Sequence, residues 1–233
     1  MRLADEIVDS FHDYDKEALL ERFKRETNLA IIEGISLNPI LQSFQDTVQK
    51  YQIDIKLIHQ FLHSMEMDLK AVEYNSDLYA EYIYGSAEVV GLMCLQVFTE
   101  GDKQKYEELK PYARKLGSAF KKLNFLRDLK EDYQNLGRTY FPNIEMNVFS
   151  NDVKVAIEKE IEKEFKEALI GIKLLPTSSR FGVYLAYKYY LSLFHKIKSK
   201  NAQSILTQRI RIPNSLKFVV MIKSYIRYKT ALL

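Results

Sequence analysis

The chain has 233 residues, 47% of them hydrophobic and 28% charged, and a net charge of +3. That length supplies a substantial core, and only 8 Gly and 5 Pro beside abundant Leu, Ile, Lys and Glu predict an all-helical protein. The single Cys94 excludes an internal disulfide framework and fits a reducing compartment. No apolar run reaches the roughly 18 residues that a membrane span needs, and Met1 leads straight into charged sequence, so no signal peptide is expected.

Met1 to Ser10 carries Asp5 and Asp9, four apart and so on one helix face, with Arg2 just ahead of them. Asp15 to Arg25 reads as an amphipathic helix, and Asn28 to Ser36 as a broken connection at Gly34. Pro39 opens a helix to about Tyr51, where a first-turn proline is well placed. Asp54 to Lys70 is the next helix, with Ile55, Leu57, Ile58, Phe61, Leu62 and Met65 on its apolar side. His59 and His63 have metal-ligand spacing, but Gln60 stands where a zinc protease has Glu and no third ligand is signalled. Ordinary histidines are the better reading. Asp77 to Phe98 is long and apolar, and its Ser86, Ala87 and Gly91 leave room for a neighbouring helix or a long ligand. Cys94 in this stretch is expected in the core.

Lys103 to Gln134 holds Asn124, Arg127, Asp128 and Asp132. Two aspartates four apart repel by about 0.2–0.5 kcal/mol in an isolated helix, and a bound cation reverses that cost. Hard oxygens suit Mg²⁺, and the Arg127 guanidinium can bond phosphate oxygens in a bidentate manner. Taken alone, such a pair is more often a solvated face. Leu136 to Asn143 is a loop with Arg138 and Tyr140 between the breakers Gly137 and Pro142. Asn151 to Ile172 is highly charged and is expected to be a solvated outer helix with Glu–Lys pairs four apart. Arg180 to Lys198 is helical and aromatic-rich. After a break at Arg209 to Pro213, Asn214 is expected to cap a last helix reaching about Leu232, its stripe of Phe218, Val219, Ile222, Tyr225 and Ile226 packed in the core in preference to entering a membrane. No acidic residue follows Glu167, while twelve Lys and Arg do. Such a surface is either simply solvated or drawn to an anionic membrane by about 1 kcal/mol per basic residue. No nucleic-acid motif accompanies the charge, so no nucleic-acid partner is expected.

Asn124, Arg127-Asp128 and Asp132, followed by Arg138-x-Tyr140-x-Pro142, resemble the second aspartate-rich signature of the phytoene/squalene synthase family. Arg2 before Asp5-x-x-x-Asp9 resembles the first, and Tyr82, Ser86, Ala87 and Gly91 resemble a third signature, Tyr-x-x-x-small-Ala-x-x-x-Gly. The resemblance runs over nearly the whole chain. It implies one all-α isoprenoid synthase domain over residues 1–233, with helices around a central cavity. Asp5, Asp9, Asp128 and Asp132 would then hold Mg²⁺, with Mn²⁺ as a substitute. Arg2, Arg127, Arg138 and Tyr140 would bind diphosphate, and Tyr82, Asn124 and Tyr190 would serve catalysis.

The implied substrates are two prenyl diphosphates joined head to head through a cyclopropyl diphosphate. Geranylgeranyl diphosphate giving phytoene is favoured. The alternatives are farnesyl diphosphate giving squalene or dehydrosqualene, with NADPH needed only for squalene, and an impaired relative acting as an interaction protein. Two departures stand out. The family's first motif lies well inside its chain, so a member shortened at the N-terminus is expected, and Lys121 stands where Gln is usual. The expected location is cytoplasmic, with peripheral contact at the inner membrane surface through the basic C-terminal part.

Overall fold

Side-chain caps set where most helices begin. Asp15 accepts from the Ala18 amide at 2.9 Å, Asn38 from Ile40 at 3.0 Å, Asp54 from Lys56 at 2.9 Å and Asn75 from Leu78 at 2.9 Å. Each bond satisfies an amide that no carbonyl of its own helix can reach. They start α2 (Lys16–Glu33), α3 (Pro39–Tyr51), α4 (Ile55–Leu69) and α5 (Ser76–Ile83), after α1 (Arg2–Ser10). The computed structural model describes residues 2–70, 74–136, 140–142 and 149–230, the side chains of 131–136 excepted.

A π-helical turn, Tyr84–Glu88, joins α5 to α6 (Val89–Phe98). Then come α7 (Lys103–Leu136), α8 (Asn151–Leu174), α9 (Thr177–Lys198), α10 (Ala202–Thr207) and α11 (Asn214–Lys229). No strand occurs among the described residues, and the protein is all-α as its composition predicts.

The helices gather on α7, which touches the π turn, α6, α8, α9 and α10. One core lies among α1 to α4 and α6, around Val8, Leu20, Leu41, Met65 and Leu92. The other lies among α5 and α7 to α10, around Tyr82, Leu126, Ile161, Phe165 and Phe194. Glycine sets the spacing on both flanks of α7: a β-carbon at Gly117 would sit 2.6 Å from the Ala87 carbonyl oxygen, and one at Gly171 would overlap Tyr112. Because the Gly117 neighbour is backbone, it cannot step aside without moving the π turn. Gly117→Ala should therefore cost about 1–3 kcal/mol of stability, read as a lower thermal midpoint. An unchanged midpoint would mean the two helices separate freely.

Several expectations are corrected. The region around Asn28 is not a broken connection: α2 runs on to Glu33, because Thr27 and Ala30 are buried and the turn waits for Gly34 at φ 71°. α8 is not a solvated outer helix. Ile157, Ile161, Phe165, Ala168 and Ile172 are buried, and so are Lys154, Glu158 and Glu164. The charges survive there because they pair. Lys154 meets Glu158, and Lys122 of α7 meets Glu164 at 2.8 Å and Glu160 at 2.5 Å. α9 starts at Thr177, before the expected Arg180, and α10 was not foreseen. Asn214 is the first helical residue of α11 and not its cap, for Pro213 holds that position with no side-chain bond. The α11 stripe is turned to solvent instead of the core.

Candidate active site

A cavity of about 740 Å³ runs along α7, between the π turn with α6 on one side and α8 with α9 on the other. Small residues make the room: Ala87 and Gly91, Ala113 and Gly117, Ala168 and Gly171, Gly182 and Ala186 all face it. Gly91 thus satisfies both readings of its signature, since a β-carbon there would also lie 2.9 Å from the Ala113 carbonyl oxygen. Cys94 is not in the core as expected: it is exposed on this wall, where the surrounding protein still raises its thiol pKa. Leu95, Phe98, Leu109 and Leu175 keep one stretch apolar, while Lys121 and Asn124 supply polar groups further along α7.

Asn124 Oδ1 is buried with no hydrogen-bond partner among the described residues. Buried acceptors are nearly always paired, so this one awaits a donor or a cation. One α-turn away, the Lys121 ammonium lies 4.9 Å from the Tyr82 ring centre and 5.3 Å from that of Phe125. It makes no ion pair among the described residues, yet its charge reaches Asp5. Asp5 touches solvent, but the protein around it and then neighbouring Asp9 raise its pKa, with Lys121 acting the other way. The α1 pair therefore stands close to this polar end of the cavity.

Beneath Lys121 lies an aromatic nest. Tyr140 stacks on Phe125 at 4.1 Å and on Tyr82 at 5.2 Å, and Tyr74 meets Tyr82 edge-on. The Tyr82 hydroxyl donates to both carboxylate oxygens of Asp68 at 2.8 Å, and that of Tyr140 donates at 3.3 Å. Burial, then the Asp68 charge, pushes the Tyr82 pKa well above its usual value, so the phenol stays protonated. Sequence reasoning missed Asp68. Its signal was a charge at the spacing of Phe61 and Met65 on the apolar face of α4.

The other motif residues are placed as follows. Arg127 grips Asp128 through Nε at 2.9 Å and Nη2 at 2.5 Å. Arg209, before α11, reaches the same carboxylate at 2.8 Å. Arg209 also escaped the sequence, being far from Asp128 along the chain. Tyr190 does not line the cavity; it stacks at 3.8 Å behind Phe120, which does. Arg2 is exposed and pairs with Glu6 at 3.6 Å. The Asp132 side chain and Arg138 lie outside the described residues. His59 and His63 are surface groups beside Asn28, Glu66 and Glu81. No cluster of three metal-ligating side chains occurs among the described residues.

A long apolar cavity with a cationic, oxygen-rich end suits an amphiphile with an anionic head. The family model described as squalene/phytoene synthase matches residues 1–215. Phytoene synthase 3 of Zea mays is 27% identical over 97% of this chain, and the chain spans 57% of that relative's length. The 4,4'-diapophytoene synthase of Staphylococcus haemolyticus is 31% identical over 54% of this chain and 41% of its own. A crystal structure of a dehydrosqualene synthase in complex with ligand superposes with a TM-score of 0.80, at 20% identity, covering 98% of this chain and 83% of the other. The fold is that of the isoprenoid synthases, and the chain belongs to the squalene/phytoene synthase family.

Proposed function

We propose that this chain joins two geranylgeranyl diphosphates head to head, giving phytoene. The observation that carries the reading is the cavity of about 740 Å³, apolar along its length and ending at Lys121 and Asn124. Its size lies within the roughly 300–1,000 Å³ of small-molecule sites. Relatives spanning nearly the whole chain, the maize phytoene synthase among them, support the C20 substrate.

In this reading the allylic C–O bond of one substrate breaks and the electron pair leaves with diphosphate. Arg127, Arg209 and Lys121 are the cationic groups to meet it, the two arginines moving off Asp128 to do so. The double bond of the second substrate attacks the allylic carbon, and loss of a proton closes a cyclopropane. A second ionisation, rearrangement and proton loss give the hydrocarbon and a second diphosphate. The Phe120 ring, which lines the cavity beside Lys121, can face a carbocation. The apolar wall keeps water from quenching it.

The hard oxygens of Asp5 and Asp9 and the unpaired Asn124 Oδ1 fit Mg²⁺. When bound, the ion would stabilise charge on the departing diphosphate. Asp128 would join them once its arginines turn to substrate.

A C15 reading has its own support in the diapophytoene synthase match. A product assay with each diphosphate and Mg²⁺, with and without NADPH, separates the two. The expected result is a C40 hydrocarbon without NADPH and two diphosphates released per product. A C30 product would replace the C20 reading, and a folded protein giving neither product would overturn both.

A further inference from the structure

α11 lies almost wholly beyond residues 1–215, where the family model matches, and it is built inside out. Val220 and Ser224, one helical repeat apart, are its buried residues, and Tyr225 and Tyr228 pack round Phe181 of α9. Phe218, Ile222 and Ile226, also four apart, share the opposite face. Phe218 is 59% exposed and Ile226 55%, with Val219, Met221 and Tyr225 exposed beside them. An amphipathic helix of a globular protein buries its apolar stripe. This one presents it.

The charge around that face names the occupant. Lys217, Lys223, Arg227 and Lys229 lie on the same helix, and the chain has no acidic residue after Glu167. Lys188 of α9 sits close enough to Arg227 for that cation, after burial, to help lower its pKa. An apolar protein partner would leave this one-signed collar unanswered, and a second copy would set cation against cation. Lipid with anionic headgroups answers both features.

We propose that α11 seats the protein on an anionic membrane surface, Phe218, Ile222 and Ile226 entering the headgroup boundary and the basic residues meeting the headgroups. No described helix is long and apolar enough to cross a membrane, so the attachment is in-plane. Tyr228 rests on the Thr177 carbonyl, at the start of α9, and Ser178 and Ser179 of the same turn line the cavity. The lipid surface would therefore adjoin the cavity wall, whatever the cavity carries.

The test is flotation of the full chain with vesicles of phosphatidylcholine alone or mixed with phosphatidylglycerol. The protein should float with the mixed vesicles only, and less so at high salt. Phe218→Ser, Ile222→Ser and Ile226→Ser together should lower the bound fraction at least about tenfold with the thermal midpoint kept. Lys223→Glu with Lys229→Glu should do so for mixed vesicles as well. Native protein that floats with neither vesicle, or serine variants that float like native, would overturn the proposal. So would a concentration-dependent dimer abolished by the same serines, which would give the face to a second copy. None of these readouts depends on catalytic activity.

Discussion

Asp5→Asn should cut turnover by about 10²–10³-fold, the scale for losing one electrostatic contact with developing charge, while making the ligand-free protein more stable at neutral pH. The two effects have one origin. Asp5 is exposed, yet partial desolvation of its carboxyl, and then the neighbouring Asp9, raise its pKa in the folded state, so the stability effect is small. A carboxyl so shifted favours folding below its unfolded pKa, and that contribution is lost as pH rises through the folded pKa. At neutral pH its charge opposes the fold, and asparagine removes the charge. Thermal melts of both proteins from acid to neutral pH should converge at the acid end and separate towards neutrality. Stabilisation by Mg²⁺ with a diphosphate analogue should vanish in the variant. Full turnover, or a lower neutral midpoint, would refute the role.

Glu164→Ala should be strongly destabilising. Glu164 and Lys122 are each 5% exposed, and Glu164 Oε1 also accepts from Ser118 at 3.0 Å. Burial alone would lower the Lys122 pKa, but Glu164 and Glu160 outweigh it and raise the value. With Glu164 gone, Lys122 keeps only Glu160, whose side chain is 55% exposed. Breaking a buried pair in this way costs roughly 3–5 kcal/mol. Replacing both members, Lys122→Met with Glu164→Leu, should recover most of it, because an apolar pair leaves no stranded charge. Chemical denaturation of the three variants measures the cycle, and a double variant as weak as the single one would contradict the account.

Helix positions were legible because breakers and stripes are local: Pro39, or Asp54 and its apolar run, state their own case. Partnership is not local. The 157–161–165–168–172 stripe of α8 looked minor amid so many Lys and Glu, yet α7 covers it and carries Lys122 to answer Glu164. The equally clear stripe of α11 has no such cover among the described residues. A period reveals that a face exists, not what lies against it. Of the small residues in the cavity only Ser86, Ala87 and Gly91 were read from the sequence, and the structure shows Gly91 spacing a helix and lining the space at once. Asp68 and Arg209 were not readable, since each becomes part of the site only through a contact between distant parts of the chain.

The turn at Tyr84–Glu88 carries a consequence for how this stretch can change. A π turn holds about one residue more than an α turn, so α6 is rotated by about 100° from where an unbroken α5 would have carried it. Tyr82 lies before that twist and looks to Asp68; Gly91 lies after it and looks to the cavity. α5 and α6 are one rod with two phases. Loss of a single residue here would act less as a shortening than as the turning of a key, and every wall position beyond it would swing away from α7. The residue count of the rod is therefore fixed.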